Sequence, residues 1–382
     1  MSPVRTFVVP ALAVGGLCAS WSPAAAQGRV GVGAEFTGYS VDAGLGVEAV
    51  QLFSVPLAVS FTAGDRTTVD LYSSWAQGEV EREGVRYVLS GLVDTHVRAS
   101  VEAAPWALLS FAVGVPTGKS EQSAEEAVVS TVLSTDLLAF PQAAWGTGLS
   151  LTSAVTMARE MGAVAVGVSA SYAARSEFEP RSDLDLMYRP GNEARFRLGL
   201  DGHVGESGTV SGSVHYARYE ADQGNGRNLF QPGSRVGFDA RWVFRADAGV
   251  WTLYAGSLAR EHGDLSLGVL DTSSGVLVGD SVFTTASQRL WSAGVVGAVG
   301  IGRSHVLHPQ VDLKLQDRKD PDGITAGSGW MLSVGGDLPL RMGSAQDLIP
   351  RIRLLVGAIQ DDAGESVGVK GVEISGTLRF DF

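Results

Sequence analysis

Two short motifs could support acid–base chemistry, because each places an acid and a histidine two positions apart. They are Asp94-Thr95-His96 and Asp201-Gly202-His203. Side chains two positions apart lie on the same face of a β-strand, so each pair could act on one water molecule. No further acidic pair stands beside either motif, and the second lies next to a predicted turn. We therefore predict that the protein is not an enzyme.

Charged and apolar residues alternate with a period of two along many segments, which is the period of a β-strand. The clearest segments are 193–204, 235–245 and 307–316. In each of them, one face carries charged and polar side chains and the other face carries apolar ones. The elements that position the charged residues are therefore strands that separate a polar from an apolar environment.

Short turn signals alternate with longer polar segments at 116–142, 175–192, 260–284 and 317–328. Short turns on one rim and long loops on the other are typical of outer-membrane barrels, whose strands must close because no water reaches the hydrocarbon. The sequence predicts an all-β, transmembrane, antiparallel β-barrel of about 16 strands, within a range of roughly 14–18. The predicted short turns are Gly64-Asp65, Ala104-Pro105, Met161-Gly162, Glu206-Ser207, Asp247-Ala248, Arg303-Ser304 and Gly343-Ser344.

A barrel of this size encloses an aqueous lumen, which the charged face of each strand would line. Both signs of charge occur on that face, and a wall without one dominant sign predicts weak ion selectivity. The alternative is that these residues pair across strands and only keep the lumen hydrated. The residues predicted to line the lumen are Arg98, Arg195, Arg197, Arg235, Asp239, Arg241, Arg245, Asp312, Lys314, Arg351, Arg353 and Arg379.

The longest loop is predicted to contain a helix over 123–140. Ser123 and Glu126 have the spacing of a capping box at its start. An amphipathic helix in a loop needs an apolar surface to rest on, so it either folds into the barrel mouth and narrows it or lies across the rim. The apolar stripe of this predicted pore-loop helix consists of Val129, Val132, Leu133, Leu137 and Phe140.

The chain ends in an alternating segment, in which Leu378, Phe380 and Phe382 share one face. This pattern resembles the terminal-strand signal of outer-membrane proteins and predicts recognition by the barrel-assembly machinery. Aromatic girdles at the two membrane interfaces are a further expectation for such a barrel. The tryptophans assigned to them are Trp145, Trp291 and Trp330 towards the loops and Trp106, Trp242 and Trp251 towards the short turns.

The first 26 residues have the features of a secretory signal peptide. Arg5 supplies the positive charge, 7–17 the apolar stretch and Ala24-Ala25-Ala26 the small-residue cleavage site. We predict a signal peptide over 1–26 and an outer-membrane barrel over 27–382. The one cysteine, Cys18, lies in the signal peptide, which excludes disulfides and thiolate chemistry from the predicted mature chain.

The net charge of −12 argues against nucleic acid as a partner, since nucleic-acid binding requires clustered basic residues. The acidic segments 177–185 and 320–323 lack the ligand spacing of a calcium loop. We predict that they are solvated loop surface, and that the protein uses no metal or cofactor.

Residues 111–118 (FAVGVPTG) and Phe140-Pro141, with Gly146 and Gly148, resemble bacterial outer-membrane transporters. Among these transporters, the sequence most resembles the barrels associated with aromatic-hydrocarbon degradation, which are sometimes compared with long-chain fatty-acid channels. It implies passive uptake of small, poorly water-soluble molecules.

Two functional hypotheses follow from these observations. The leading one is a channel for passive diffusion or uptake of small solutes across the outer membrane, with small hydrophobic molecules among the candidates. The alternative is a non-conducting structural or adhesive barrel whose extracellular loops bind partners. The predicted partners are outer-membrane lipid, the barrel-assembly machinery and small-molecule solutes.

Overall fold

The computed structural model describes residues 28–382 except 143, 206–207, 271–276, 303–304 and 361–363. The side chains of 267–270 and 277–280 also lie outside the description. The predicted signal peptide and the predicted turns Glu206-Ser207 and Arg303-Ser304 therefore fall outside the described residues.

The described residues form twenty-three strands and one helix, α1 (Ala124–Leu133). No helix in this part of the chain is both long and apolar enough to cross a membrane. In chain order the strands are β1 (Gly28–Val41), β2 (Ala49–Ala63), β3 (Thr67–Arg82), β4 (Val85–Leu92), β5 (Thr95–Ala104), β6 (Ala107–Val115), β7 (Ser150–Met161), β8 (Val164–Arg175), β9 (Tyr188–Arg189), β10 (Glu193–Val204), β11 (Gly208–Tyr219), β12 (Asp222–Gly224), β13 (Arg227–Gln231), β14 (Arg235–Ala246), β15 (Gly249–Arg260), β16 (Asp264–Leu270), β17 (Leu277–Thr284), β18 (Ser287–Ile301), β19 (His305–Lys319), β20 (Thr325–Asp337), β21 (Leu340–Arg341), β22 (Gln346–Gln360) and β23 (Ser366–Asp381).

Sixteen antiparallel strand positions close into a barrel. β1 pairs with β2 on one side and with β23 on the other, which joins the two ends of the sheet. β4 and β5 share one position beside β3, with a break at Val93 and Asp94, and β21 continues β20 along β22. The predicted fold class and strand number are confirmed.

Most connections at one rim are short turns and most at the other are longer loops, although the two-residue turn Glu83-Gly84 joins β3 to β4 at the loop rim. Gly64 and Gly162 occupy positive φ angles of 70° and 68° in two of the predicted turns, a conformation that glycine adopts without a steric penalty. The longest connection, 116–149, leads from β6 to β7 and contains α1.

The two faces of the barrel wall differ as the alternation predicts. Outward-facing Phe196, Leu313 and Ile352 are 56%, 39% and 56% exposed in the isolated chain, as a lipid-facing surface requires. The opposite face carries ion pairs between neighbouring strands, such as Arg98 with Asp70.

Three of the long loops form a second sheet beyond the barrel. Its strands pair in the order β17-β16-β13-β12-β9. Within it, Asp222 accepts a 2.6 Å hydrogen bond from the Tyr188 hydroxyl and another of 2.6 Å from the Gly191 amide. Burial and the neighbouring carboxylate raise the pKa of Tyr188. Sequence periodicity did not reveal this sheet, since three of its five strands have only two to five residues, which is too short to show a period.

The last residue lies at the seam that closes the barrel. Phe382 and Gly28 exchange backbone hydrogen bonds of 2.8 and 2.9 Å. The Phe382 ring lies so close to Gly28 that a Cβ there would be 2.3 Å from it. Arg29 and Asp381 form an exposed ion pair of 2.8 Å beside this contact.

Deleting Phe382 is expected to leave the exported chain unassembled and protease-sensitive, because the seam loses both its backbone pairing and its terminal aromatic ring. Heat-modifiable migration on gels measures assembly. Asp381→Asn is the control and should assemble normally, since solvent screens an exposed ion pair and it contributes little to stability. Normal migration of the deletion variant would contradict this role of Phe382.

Candidate permeation path

The helix of the longest loop begins where the sequence predicts. Ser123 Oγ accepts a hydrogen bond of 3.2 Å from the Glu126 amide, and the Ser123 amide donates to the Glu126 carboxylate at 3.0 Å. This is the predicted capping box. Burial alone would raise the pKa of Glu126, but hydrogen bonds from Lys119 and Ser123 outweigh it and lower the pKa. The carboxylate therefore stabilises the cap above its unfolded pKa, and this contribution is lost as the pH falls through the folded value.

The helix ends at Leu133, so the prediction of a helix as far as Phe140 is wrong. The Ser134 and Thr135 hydroxyls donate to the carbonyls of the preceding turn, an alternative to continuing the helix. Ala139 has a positive φ of 49°. Leu137 and Phe140, predicted on the helical stripe, lie in the turns after α1, although both are buried.

The apolar side chains of this loop pack against the inner wall of the barrel. Val129 and Leu133 lie against Gly78 of β3, and Leu137 lies against Gly329 of β20. Val132 lies half-buried at the edge of the same cluster. The wall residues of the cluster belong to seven adjacent strands, β4, β3, β2, β1, β23, β22 and β20, and are Tyr39, Val50, Leu52, Ala76, Val80, Leu89, Met331, Leu355 and Val369.

The loop also reaches past this arc, to the second and third strands beyond β20. Asp136 accepts hydrogen bonds from Arg260 of β15 at 3.2 Å and from Gln288 of β18 at 3.0 Å. Tyr39 of β1 donates to the Leu138 carbonyl at 2.7 Å. Contacts with strands this far apart place the 116–149 segment inside the barrel, where it narrows the lumen. Neither Asp136 nor its partners were singled out in the sequence, because the pairing depends on how far the loop reaches across.

Asp94 anchors both arms of this loop, which are the segment that leaves β6 and the segment that returns to β7. Its carboxylate accepts hydrogen bonds from the Gly118 amide at 3.0 Å, the Thr147 amide at 2.7 Å and the Thr147 hydroxyl at 3.2 Å. Asp94 is only 3% exposed, in the break between β4 and β5. The acid of the Asp94-Thr95-His96 motif thus holds backbone in place. The other motif lies on β10, where Asp201 and His203 approach the turn to β11.

The two arms meet at a pair of glycines. A Cβ on Gly118 would lie 2.0 Å from the Trp145 carbonyl oxygen, and one on Gly146 would lie 2.6 Å from the Ser120 nitrogen. Trp145 is 1% exposed and donates to the Ala76 carbonyl at 3.1 Å. Its predicted place in an aromatic girdle is therefore wrong, because the loop carries it inside the barrel.

The strand registers place all twelve residues predicted to line the lumen on the face of the sheet that carries α1. On the arc covered by the loop and beside it, the arginines pair with carboxylates. The pairs are Arg98 with Asp70, Arg351 with Asp337 and Glu373, Arg353 with Glu373, and Arg379 with Asp347.

The arc opposite the loop has a different charge pattern. Arg197 pairs with Asp239 and Arg195 with Glu193, and Asp312 accepts from the Ser333 hydroxyl. The Arg235 guanidinium lies 5.1 Å from the centre of the Tyr219 ring. Considering only side chains that the structure describes, five cations of this face form no ion pair with a carboxylate, namely Arg235, Arg241, Arg245, Lys314 and Arg318.

An open cavity of about 780 Å³ lies along this second arc. Its lining includes Arg197, Asp239, Arg241, Tyr254 and Ser292 from strands β10 to β18. Among the described residues, no cluster of three or more histidine, cysteine or acidic side chains is arranged to hold a metal ion.

No protein-family model matches the sequence, and no curated protein does. Solved structures resemble it in fold. OpdQ of Pseudomonas aeruginosa has 8% identity and a TM-score of 0.53, with 94% of this chain and 98% of that chain covered. OccK9 (OpdG) of the same organism has 11% identity and a TM-score of 0.51, with 93% and 98% covered. CdiB from Acinetobacter baumannii has 10% identity and a TM-score of 0.50, and the chain spans 60% of its length.

The chain has the fold of an outer-membrane β-barrel channel. At these identities the likeness concerns the fold alone, so the roles of individual residues in the barrel rest on its own geometry.

Asp94→Ala is expected to loosen both arms of the loop, because three donors lose a charged acceptor. Such hydrogen bonds contribute about 1.5–3 kcal/mol each and are not additive, so opening of the 116–149 segment should become easier by roughly 2–4 kcal/mol. Hydrogen exchange at the Gly118 and Thr147 amides measures this. Asp322→Ala, which alters an exposed acid in another loop, is the control. Unchanged exchange at both amides in the Asp94 variant would refute the anchoring role.

Proposed function

We propose that this barrel is a passive outer-membrane channel for small solutes. The observation that carries the proposal is the division of the lumen. The 116–149 segment fills the arc formed by seven strands, whereas a cavity of about 780 Å³ stays open along the opposite arc. A loop that narrows the lumen without filling it leaves a path whose walls select what passes.

The proposed path favours anions. The charges of the ion pairs on the loop-covered arc cancel at short range. By contrast, Arg235, Arg241 and Arg245 follow one another along β14 without an acidic partner among the described residues. Lys314 on β19 also lacks such a partner. Unpaired charges of one sign attract counter-ions into a pore. The equal representation of both signs in the sequence predicted weak selectivity. Along β10 to β19, however, the unpaired cations of the inner face outnumber its unpaired acids Asp201 and Asp312 among the described residues.

The proposed solutes are small and polar. Arginine, aspartate, serine and tyrosine side chains line the open cavity together with small residues, and the main cluster of apolar inner residues is buried under the loop. This lining supports polar anions over the poorly water-soluble molecules that the family resemblance implies. Transport through such a path needs no catalytic step, so we propose a non-enzymatic protein.

The sequence-based expectations on location and assembly remain part of this proposal. The signal peptide over 1–26 would direct export, and Leu378, Phe380 and Phe382 would present the terminal strand to the barrel-assembly machinery. The apolar outer face would contact outer-membrane lipid.

A specific observation also supports the alternative, a non-conducting barrel that binds partners through its loops. The five-stranded sheet beyond the barrel gives the loops a fixed surface, on which Val282 and Phe283 are 61% and 54% exposed. Conductance in planar bilayers separates the two functions. A barrel that is folded but does not conduct would favour the adhesive alternative.

Replacing 121–138 by a flexible glycine-serine linker is expected to raise single-channel conductance roughly twofold, because the segment covers seven of the sixteen strand positions of the lumen wall. The variant retains Gly118, Gly146 and the Asp94 anchor, because these residues lie outside the replaced segment. Heat-modifiable migration confirms folding. Unchanged conductance would place the segment outside the permeation path.

Neutralising the open arc is expected to reduce anion preference. In a salt gradient, Arg235→Gln with Arg241→Gln should lower the anion-to-cation permeability ratio about two- to threefold, as expected for loss of partly screened charges near the path. Arg159→Gln on the outer face of β7 is the control and should leave the reversal potential unchanged. A wild-type barrel that conducts without anion preference would refute the selectivity but not the channel.

A further inference from the structure

The outer wall of β18 and β19 changes character abruptly towards the loop rim. Trp291 and Leu315 are directly paired and are 44% and 45% exposed on the lipid-facing side. Two residues further towards the loops, the same face carries Arg289 paired in register with Asp317, and two further still it carries Lys319. Charged side chains therefore follow directly beyond the apolar belt.

These residues border a groove of about 460 Å³. Arg289, Asp317 and Lys319 contribute to it from the strands, and Glu261 and His262 from the start of the loop after β15. Arg289 and Lys319 are exposed. Neither forms an ion pair with any carboxylate in the described part of the chain, so both are available to an anion.

The position of the groove identifies the environment of that anion. Aromatic residues of a barrel mark the interface between hydrocarbon and headgroups. Here Trp291 packs edge-on against Phe238 of β14, with ring centres 5.8 Å apart. Arg289 lies just beyond this pair on the outer face, at the depth of lipid headgroups, and it does not face the lumen.

We infer that this groove binds the phosphorylated headgroup of an outer-leaflet lipid. The phosphate would interact with Arg289 and Lys319, since guanidinium and ammonium groups bind phosphate oxygens by charge-assisted hydrogen bonds. The Asp317 carboxylate would accept hydrogen bonds from sugar hydroxyl or amide groups. An acyl chain would lie along Val236 and Trp291. This inference rests on the proposed location in an outer membrane and is independent of conduction.

The groove fits a lipid better than a free anion because its two parts differ in polarity. Val236 and Ala259 line it beside the charged residues. A free phosphate ion would use only the cations, whereas a phosphorylated glycolipid would use the cations, the acid and the apolar floor together.

The test measures binding of bis-phosphorylated lipid A, presented in phosphatidylcholine nanodiscs, to the full-length barrel. The double variant Arg289→Gln with Lys319→Gln should bind roughly 25-fold more weakly at low salt, about fivefold for each lost charge. The matched control is Arg318→Gln, which removes a charge of the inner face next to Lys319 and should bind within about twofold of the wild type. Equal affinities of the double variant and the wild type would overturn the inference.

Two further measurements identify the ligand. Dephosphorylated lipid A should bind the wild type as weakly as the bis-phosphorylated lipid binds the double variant, and equal binding of both lipids would exclude phosphate recognition. Millimolar inorganic phosphate should not displace the lipid, and full displacement would show a site for the free ion instead. Heat-modifiable migration shows that each variant is folded, and Arg289→Lys should retain most of the affinity. The binding assay does not require conduction, so a failure of the proposed channel function would be recognised separately.

Discussion

The backbone of a chain in hydrocarbon must satisfy every N–H and C=O group within the protein, and the rest of this structure depends on that constraint. Pairing of β1 with β23 closes the sheet and leaves no open edge in the membrane. Once the sheet is closed, successive side chains must alternate between lipid and lumen. The composition of each strand is therefore divided in two: Phe196 and Leu313 lie exposed on the outer face, whereas Arg197 and Lys314 lie on the inner face.

The longest loop divides the inner face of the barrel into a covered arc and an open arc. Burying Val129, Leu133, Leu137 and Trp145 stabilises the loop by about 1.5–3 kcal/mol for each large apolar side chain, less the entropy of ordering it. Such burial requires an apolar patch on the inner wall of the barrel, whose other parts face water. Residues such as Tyr39 and Leu52 form this patch. The loop is held at its base by Asp94 and at its far end by Asp136. Because the loop is fixed at these two points, it narrows the lumen without depending on the stability of its helix.

The features that could be predicted from sequence are those that depend on local patterns. Alternation located the long strands, turn residues separated them, and the pair Ser123 and Glu126 marked the helix start. The errors arose where contacts distant in sequence decide the structure. Trp145 looks like an interfacial tryptophan until the loop folds inward, and the helix ends early because the Ser134 and Thr135 hydroxyls bond to the preceding carbonyls. The Asp94 anchor joins residues more than fifty positions apart, which no local pattern contains.

Charge pairing explains why the same residue types can have different roles around one wall. Arg353 and Arg379 lie beside acidic partners on neighbouring strands, and their charge is largely cancelled at short range. Arg241 lies opposite Tyr254 on β15 and Ser211 on β11, with an open cavity before it, so its field extends into the lumen. A list of charged residues cannot distinguish these cases, because the difference lies in the strand register. The register that closes the barrel therefore also determines which charges remain unpaired along the lumen.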